Sequence, residues 1–398
     1  MGGRHVRSVG DGGNHLTHSE SPDVVVVGGG LIGCSVAHAL AVRGCSTLLV
    51  ERDTPARQAT WAAGGMLSPL SEGLSPGPFL ELGLESLRRY PAWLRSLREA
   101  SGLSVEMVES GKIEVAFTEE EAEALKEAER ARAVGKPGGE WLSGPQVLSR
   151  EPSLSREVQG GLLFEDEAQV DNRILGDAAA EAARAVGAEI RTGIPVRSVL
   201  EISGRTGGVE LRDGSQVPAG AVVVAAGAWS GDIEGLPRPL PVRPVRGQML
   251  SLDMDDLGSR PLSTVVETRR AYLIPRRGGP LVVGSTMEEV GFTAETTKNA
   301  IDELLDAATS ALPVLQGRPP TETWAGLRPG TPDDHPVLGE DPEMDGLYYA
   351  TGHFRNGILL APVTAAALAA LIVGEGTPPV DLVPFRPDRF SSSVPVGS

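Results

Sequence analysis

One arginine stands in a glycine-bracketed loop near the C-terminal end of the chain. Arg355 lies between Gly352 and Gly357, and the apolar run Ile358–Ala361 then predicts the start of a helix. A guanidinium keeps its charge, and its planar donors match the two oxygens of a carboxylate. Glycines allow close approach to a flat ligand, and the unpaired N–H groups of a helix start favour electron-rich atoms. The pattern indicates either a binding loop for a small carboxylate or a surface loop with an ordinary exposed arginine.

A second glycine-rich segment follows the first predicted strand. Gly28, Gly30 and Gly33 have the spacing G-x-G-x-x-G directly after the run Val24–Val27. Glu51 ends the next predicted strand, about 20 residues on, where a carboxylate can accept ribose hydroxyl protons and disfavours a 2′-phosphate. The glycines permit a tight turn, the approach of a pyrophosphate and close packing of helix on strand. This context predicts a dinucleotide site, with a ligand-free glycine turn as the alternative.

The segment Thr60–Leu67 is rich in small residues. Its composition suits a backbone that wraps around a ligand better than it suits the start of a core helix. A long cofactor that begins on the first strand–helix–strand unit would pass this segment and end between two domains. From these residues alone the segment could also be a plain loop, and the cofactor could be NAD or FAD.

The order of predicted elements gives an α/β fold in two domains. The apolar run Ala221–Val224 predicts a buried strand that ends in a glycine turn, far along the chain from the first unit. The Rossmann-like nucleotide-binding domain is therefore expected to be discontinuous in the sequence. Alternating runs at Tyr272–Ile274 and Leu281–Val283 predict an antiparallel sheet in the substrate domain. We assign residues 22–75, 166–235 and 323–386 to the first domain and residues 76–165 and 236–322 to the second. Residues 1–21 are predicted to be a disordered extension and residues 387–398 a flexible tail.

The composition argues against several classes of function. The 398-residue chain has a formal net charge of −17, which opposes binding to nucleic acid or to an anionic membrane surface. Cys34 and Cys45 stand in no metal-ligand pattern, so we expect no metal site and two small core side chains in a reducing compartment. The best apolar stretch, Ala365–Val373, is shorter than the roughly 18 residues of a membrane span and predicts a core helix. These features predict a cytoplasmic protein without nucleic-acid or membrane partners.

Eight motifs, spread in order over about residues 22–386, resemble those of the FAD-dependent D-amino-acid oxidase superfamily. They read VVVVGGGLIGCSVAHAL, TWAAGGMLSP, FEDEAQVDNRIL, VVVAAGAWS, YLIPR, VVGSTM, WAGLRPGTPD and GHFRNGILLAP. Within that superfamily the chain is most similar to glycine oxidases of the thiamine-biosynthesis type. Ordered agreement of this kind is more specific than any single motif. The resemblance implies that the cofactor is FAD. Because neither Cys34 nor Cys45 lies in the late segments that would contact the flavin, we expect no covalent link.

The resemblance also implies which residues hold the cofactor. Leu31 and Ile32 would offer backbone N–H groups to the pyrophosphate. Glu51 and Arg52 would bind the adenosine ribose, and the backbone of Val196 would bind the adenine. Two further segments would line the ribityl chain and cover the flavin ring. The full set of implied FAD contacts is Gly28, Gly30, Leu31, Ile32, Gly33, Glu51, Arg52, Ala59, Thr60, Gly64, Gly65, Met66, Val196, His353, Phe354, Arg355, Asn356, Gly357, Ile358 and Leu359.

The resemblance places further side chains around the substrate. Arg355 and Arg328 would bind its carboxylate with help from the Tyr272 hydroxyl, and Met287 would form a wall of the pocket. His353 is expected to pack near the flavin rather than to exchange protons. No side chain is assigned as an acid–base catalyst, because transfer of a hydride from an amine to a flavin depends on orientation.

Two residues near the substrate depart from the family pattern. Ser68 stands where some glycine oxidases have glycine, and Arg270 stands where relatives have a neutral polar residue or histidine. Both leave the exact substrate open. Without the family context, Arg328 could instead be an ion-pair partner of Asp333 or Asp334.

The activity implied by the resemblance is FAD-dependent oxidation of glycine, with sarcosine and small D-amino acids as further candidates. The products would be an imine or glyoxylate, ammonia and H2O2, with O2 as electron acceptor. The imine would supply the thiazole ring of thiamine, which implies a thiazole synthase as partner, and relatives suggest a homo-oligomer. A sarcosine oxidase or a D-amino-acid dehydrogenase would have the same fold. The alternative that is not an enzyme is a flavin-binding delivery subunit of a thiazole synthase complex.

Overall fold

The computed structural model describes residues 21–72, 76–132, 138–257 and 261–390. The predicted N-terminal extension, up to residue 20, and residues 391–398 of the predicted tail lie outside these ranges. The described residues form a six-stranded sheet, an eight-stranded sheet and two three-stranded sheets. The two large sheets correspond to the two kinds of sheet that the sequence predicts.

The six-stranded sheet carries the N-terminal strand near its centre. Its strands are, in order across the sheet, Val337–Glu340, Leu347–Thr351, Ala221–Val224, Val24–Val27, Thr47–Glu51 and Glu189–Thr192. All neighbours are parallel except the edge pair formed by the first two. The four valines of Val24–Val27 are buried on both faces, as expected for a central parallel strand. The predicted α/β class is confirmed.

One face of this sheet is covered by a cluster of helices. They are Leu31–Ala41, Pro78–Ser101, Asn172–Ala185 and Gly357–Val373. The second helix lies beyond residue 76, so the structure differs here from the predicted domain boundary. The hydroxyls of Tyr90 and Ser86 donate to the carbonyl oxygens of Ile358 and Leu359, at 2.5 and 2.6 Å. These buried bonds, and the shared apolar core, attach the helix to the nucleotide-binding side of the molecule.

The helix Gly357–Val373 is apolar on all sides. With the turn before it, the stretch Phe354–Val373 has 20 residues and is long and apolar enough to cross a membrane. This length corrects the expectation that no such stretch exists. Most of it is buried inside the protein, and Leu360 and Leu368 are fully covered. A helix of this composition fits the core of a globular protein equally well.

The eight-stranded sheet forms the second large layer. Its strands are, in order, Glu322–Gly330, Arg243–Leu252, Leu281–Gly284, Tyr272–Pro275, Val265–Glu267, Lys112–Ala116, Gly160–Phe164 and Glu140–Ser143. All pairs are antiparallel except Val265–Glu267 with Lys112–Ala116. The helix Lys298–Ala311 packs on its apolar face. Glu322–Gly330 pairs along its whole length with Arg243–Leu252, so this strand lies outside the nucleotide-binding domain to which residues 323–386 were assigned.

The remaining elements are short or lie at the edges. The three-stranded sheets are Met66–Leu67, Ala168–Val170 and Met107–Val108, and Val196–Ile202, Arg205–Leu211 and Gln216–Pro218. The other helices are Ala59–Ala62, Glu119–Arg132 and Gly144–Arg150, with 3-10 turns at Gly227–Asp232, Asp255–Leu257, Pro313–Leu315, Phe354–Asn356, Val383–Phe385 and Pro387–Phe390. Arg389 donates to Asp333 at 2.9 Å. Residues 387–390 are thus held against the protein, in contrast to the flexible tail predicted from residue 387.

Gly33 is the contact point between the first helix and the first strand. A Cβ atom at this position would lie 1.9 Å from the Gly28 carbonyl oxygen. We expect Gly33→Ala to destabilise the protein by about 3 kcal/mol or more, because the helix must move off the strand. Gly220→Ala is the matched control, since its Cβ would meet only the Asp23 carbonyl oxygen at 3.5 Å. Urea unfolding followed by circular dichroism measures both, and equal midpoints would contradict this account of the packing.

Candidate active site

A long cavity runs along the carboxyl ends of the central parallel strands. At one end it is lined by Val27, Glu51 and Val196, and at the other by Tyr272 and Arg328. It therefore reaches from the six-stranded sheet to the eight-stranded sheet. Ligands of open α/β sheets bind at this edge, where loops and helix starts converge.

The glycine turn at the first helix leaves room for a ligand. Gly30 occupies the N-cap position and, having no side chain, makes no cap bond of its own to the helix. A Cβ on Gly30 would have a single neighbour within 4 Å, the Thr60 hydroxyl at 3.7 Å. Leu31, predicted to offer its N–H group to a pyrophosphate, donates it to Thr60 Oγ1 at 3.0 Å. The Leu31 N–H therefore has a partner within the protein, and the open space at Gly30 and the dipole of the helix start are the features that suit an anionic group.

Glu51 supports the glycine turn as well as lining the cavity. Its Oε2 accepts the Gly29 N–H at 2.6 Å, and its Oε1 accepts the Asp53 N–H at 2.9 Å. The neighbouring Arg52 lies over the ring of Trp229, 3.6 Å from its centroid. Trp229 lines the cavity and was missed, although it stands in one of the sequence motifs, because nothing in the sequence indicates its contact with Arg52.

The segment around Gly64 is held in place from behind by buried polar groups. Arg276 donates to the carbonyl oxygens of Gly64 and Val170 at 2.8 and 2.5 Å and to Asn172 Oδ1 at 2.8 Å. Asn172 in turn donates to the carbonyl oxygen of Thr60 at 2.8 Å. Burial lowers the pKa of Arg276 to about 10, so the guanidinium stays charged at neutral pH. These bonds fix the backbone that lines the middle of the cavity.

The loop that opens the last helix forms the opposite wall. Gly352 has a positive φ of 71°, and a Cβ there would lie 2.7 Å from Thr331 Cγ2. His353 is buried, and its Nε2 lies 3.0 Å from the Thr364 hydroxyl. The helix begins at Gly357, next to the predicted start at Ile358. The loop and the uncapped helix start both face the cavity.

His353 makes stability depend on pH. Burial lowers its pKa from the ordinary 6.5 to about 3, so the folded protein keeps the ring neutral. The unfolded chain binds a proton between those two values, and stability is therefore lost as pH falls from 6.5 toward 3. We expect His353→Asn to lose less stability than the wild type between pH 7 and pH 4.5 in urea unfolding, and the same amount between pH 8 and pH 7. If both proteins lost the same stability between pH 7 and pH 4.5, His353 would not be the group responsible for the pH dependence.

Two glycines make room for the polar side chains at the far end. A Cβ on Gly247 would lie 2.3 Å from Arg328 Nη1, and a Cβ on Gly284 would lie 2.7 Å from the Tyr272 hydroxyl. Arg328 donates to Ser285 Oγ at 2.5 Å, and burial lowers its pKa without removing its charge at neutral pH. These glycines and the serine were missed, because only the pairing of distant strands brings them to Arg328.

Arg328 and Arg355 have different partners. Arg328 forms no ion pair with Asp333, which instead accepts bonds from Arg389. Arg355 forms an ion pair with Glu72 at 3.1 Å, and the Glu72 carboxylate raises the pKa of Arg355. Glu72 lines the cavity and was not predicted as a site residue. Arg355 is more exposed than Arg328, and both reach the same end of the cavity.

Most of the predicted site residues line this one cavity. They are Gly28, Gly30, Leu31, Ile32, Glu51, Arg52, Ala59, Thr60, Gly64, Gly65, Met66, Ser68, Val196, Tyr272, Arg328, His353, Phe354, Arg355, Asn356, Gly357 and Ile358. Gly33 and Leu359 are packed behind it, the latter 1% exposed in the core. Met287 is 62% exposed and lines a second, smaller cavity beside the first. The Ser68 hydroxyl bonds to the buried Glu167 carboxylate.

The sheet order and the glycine turn with its acidic residue define an α/β protein of the dinucleotide-binding class, and its cavity has two arginines at the far end. Residues 23–371 match the family model described as FAD dependent oxidoreductase. The chain belongs to this family.

Individual relatives are similar over nearly the whole chain. Glycine oxidase from Bacillus subtilis (strain 168) is 34% identical over 92% of this chain and 97% of its own length. The bifunctional protein ThiO/ThiG from Nostoc sp. is 36% identical over 94% of this chain, which spans only 56% of that relative. The crystal structure of glycine oxidase from Geobacillus kaustophilus superposes with a TM-score of 0.86, at 33% identity, over 94% of this chain and 99% of that one.

The cavity fits the FAD that the family uses. Gly30 and Gly357 face open space in which a Cβ would meet one neighbour each, at 3.7 Å, so the backbone can approach a ligand closely. Glu51 and Arg52 lie where a ribose would bind, and the start of the first helix faces a pyrophosphate. The loop at His353 would cover the isoalloxazine ring. Residues that could contact an extended dinucleotide therefore line the cavity along its whole length.

Proposed function

We propose that the protein oxidises glycine with non-covalently bound FAD and O2, giving H2O2 and an imine that hydrolyses to glyoxylate and ammonia. The observation that carries the proposal is the position of Arg328 and Tyr272 in the same cavity as the loops at Gly64 and His353. A small amino acid bound through its carboxylate there would lie against the flavin. Among the described residues no cysteine lines the cavity, which supports a non-covalent cofactor.

The side chains in the cavity bind and orient the substrate. When bound, FAD accepts the hydride equivalent from the amine and passes the electrons to O2. Arg328, with Arg355 beside it, would hold the carboxylate, and the Tyr272 hydroxyl would fix its rotation. His353 stays neutral and bonded to Thr364, so it contributes shape and polarity rather than a proton. The substrate must lose its ammonium proton before oxidation, so the rate should rise with pH through the pKa of the bound amine.

The proposal extends to the use of the product. The relatives named ThiO/ThiG support a link to a thiazole synthase, to which the imine would pass during thiamine biosynthesis. We also propose a cytoplasmic homo-oligomer. The unpaired Cys34 and Cys45 support a reducing compartment, and light scattering of the purified protein would give its assembly state.

The decisive experiment is an assay of the purified yellow protein with glycine. We expect H2O2 and ammonia in equal amounts, and bleaching of the flavin absorbance by glycine without oxygen. Sarcosine and D-alanine in the same assay would rank the alternative substrates. Bleaching without H2O2, with turnover restored by an artificial electron acceptor, would identify a dehydrogenase. Flavin that neither bleaches nor turns over with any of these amines would contradict the proposal and favour the delivery subunit.

A further inference from the structure

The helix Gly357–Val373 contains a proline shortly after its start. Pro362 lies five residues beyond Gly357, past the first turn in which a helix tolerates proline. Proline has no N–H group, so the residue four positions earlier, Ile358, loses the donor that an α-helix would supply to its carbonyl oxygen. Gly357 and Ile358 both line the main cavity. The helix is therefore interrupted at the turn that faces the cavity.

A neighbouring helix, Pro78–Ser101, supplies the missing donor. The Tyr90 hydroxyl donates to the carbonyl oxygen of Ile358 at 2.5 Å. Ser86, one turn earlier on the same helix, donates its hydroxyl to the next carbonyl oxygen at 2.6 Å and accepts the Val363 N–H at 3.4 Å. Two successive carbonyl oxygens of the interrupted turn thus bond to the side chains of another helix.

Both donor side chains are completely buried. Tyr90 and Ser86 are each 0% exposed, and the Tyr90 ring packs edge-on against Trp93 with 5.3 Å between the ring centroids. Burial raises the pKa of Tyr90 well above its ordinary value, so the hydroxyl keeps its proton and remains a donor. Because bulk water does not reach this position, loss of the hydroxyl would leave the Ile358 carbonyl oxygen without a partner.

The position of this turn matters for the cofactor. The first N–H groups of a helix have no partner within it, so a helix start carries a partial positive charge, whose effect is confined to about one turn. The start at Gly357 faces the cavity that the FAD of the family would occupy. Reduction adds electrons to the flavin ring, so a positive helix end beside the ring favours the reduced form. In an uninterrupted helix the backbone bonds alone would fix this turn.

We propose that Tyr90, supported by Ser86, is a positioning residue for the flavin. Its hydroxyl replaces the helix hydrogen bond that Pro362 removes, and it thereby holds the first turn of the helix against the cofactor cavity. Neither Tyr90 nor Ser86 lines the cavity, so both act through the helix rather than by touching FAD or substrate. The inference rests on the FAD of the family and not on the amine that is oxidised, so it can be tested without glycine.

The test is the reduction potential of the bound flavin, measured by anaerobic titration against a reference dye. We expect Tyr90→Phe to shift the equilibrium about fivefold toward the oxidised form, which lowers a two-electron potential by about 20 mV. The ring and its packing remain, so the protein should stay folded and yellow. Ser86→Ala should shift the potential in the same direction but less, because the Val363 N–H can then bond directly to the carbonyl oxygen four residues earlier.

Two further variants separate positioning from stability. Tyr349 is also 0% exposed, and its hydroxyl donates to Asp341 at 2.9 Å, but it does not line the cavity. Tyr349→Phe should therefore lower the urea midpoint and leave the potential unchanged. Adding Pro362→Ala to Tyr90→Phe should return the equilibrium to within twofold of the wild type, because alanine supplies the N–H group that proline lacks.

Each outcome decides the inference. An unchanged potential in Tyr90→Phe, an equal shift in Tyr349→Phe, or a shift that Pro362→Ala does not reverse would overturn it and leave Tyr90 as a helix-packing residue only. If Tyr90→Phe does not retain FAD, the double variant decides, since recovery of the yellow protein supports the inference and a colourless protein overturns it. Failure of the wild type to oxidise glycine would remove the proposed function but would not affect these measurements.

Discussion

Arg328→Met should reduce kcat/KM for glycine by about 100-fold or more, chiefly through KM, while the protein remains yellow and folded. The side chain is half-buried at the wall of the cavity, and its partners Ser285 and Thr286 carry no charge that could replace a substrate carboxylate. Loss of a bidentate charge-assisted pair in a partly desolvated site removes a few kcal/mol of binding. Steady-state kinetics, with the flavin spectrum as a check on cofactor content, measures the effect.

Two companion variants sharpen this result. Arg328→Lys keeps the charge but loses the planar fork, so most of the loss should remain. Arg355→Ala should also keep FAD and weaken glycine binding, but less than Arg328→Met, because Arg355 is more exposed and already paired with Glu72. A colourless Arg328→Met protein would show that the residue supports the cofactor site instead. Glycine kinetics within threefold of the wild type would contradict its role in binding the carboxylate.

The nucleotide end of the site could be predicted because its parts are close in the sequence. Gly28, Gly30 and Gly33 follow a buried strand and open a helix, and Glu51 ends the next strand. Strand twist and the crossover rule fix how such a unit folds, so the spacing alone places these residues together. The structure adds that Glu51 also accepts the Gly29 N–H, a support that the spacing does not indicate.

The substrate end could be predicted only through the family resemblance. Arg328 meets Ser285 because Glu322–Gly330 and Leu281–Gly284 both pair with the strand Arg243–Leu252. The local sequence pattern does not indicate which strands pair, because the paired strands lie tens of residues apart in the chain. The same limit explains why the domain boundaries differ from the structure. A helix such as Pro78–Ser101 shows an apolar face in the sequence but not which sheet that face will cover.

The loop Gly352–Gly357 has some features that the sequence could predict and one contact that it could not. The helix start and the bracketing glycines are local features, and the structure has the helix beginning at Gly357. The resting partner of Arg355 is Glu72, 283 positions away, which no spacing rule could supply. Arg355 can therefore be seen as a carboxylate-binding residue whose site already holds a carboxylate of the protein. A substrate would compete with Glu72 for it, whereas Arg328 is free of that competition.

Gly30→Val should abolish stable FAD binding without unfolding the chain. The Gly30 backbone is extended, with φ −69° and ψ 177°, a conformation that valine adopts readily. Its Cβ would point into open space beside Thr60, so the folded apoprotein can accept the larger side chain. The same space is needed by a pyrophosphate at the helix start, and we expect the Kd for FAD to rise about 100-fold or more, since backbone contact and the helix N-terminus are both blocked. Fluorescence titration of the apoprotein with FAD measures this change.

Glu51→Ala is the comparison variant, because it removes a charged cofactor contact without filling the space at the helix start. It removes a ribose acceptor and the support of the Gly29 N–H but leaves the helix start open, so its Kd for FAD should rise less, by about tenfold. At saturating FAD the Glu51→Ala protein should regain activity with an unaltered preference among amines, because Arg328 and Tyr272 lie at the other end of the cavity. Wild-type apoprotein is the stability control for both. A yellow Gly30→Val protein with one FAD per chain would mean that the pyrophosphate does not approach this turn, and the geometry of the nucleotide end would have to be reassigned.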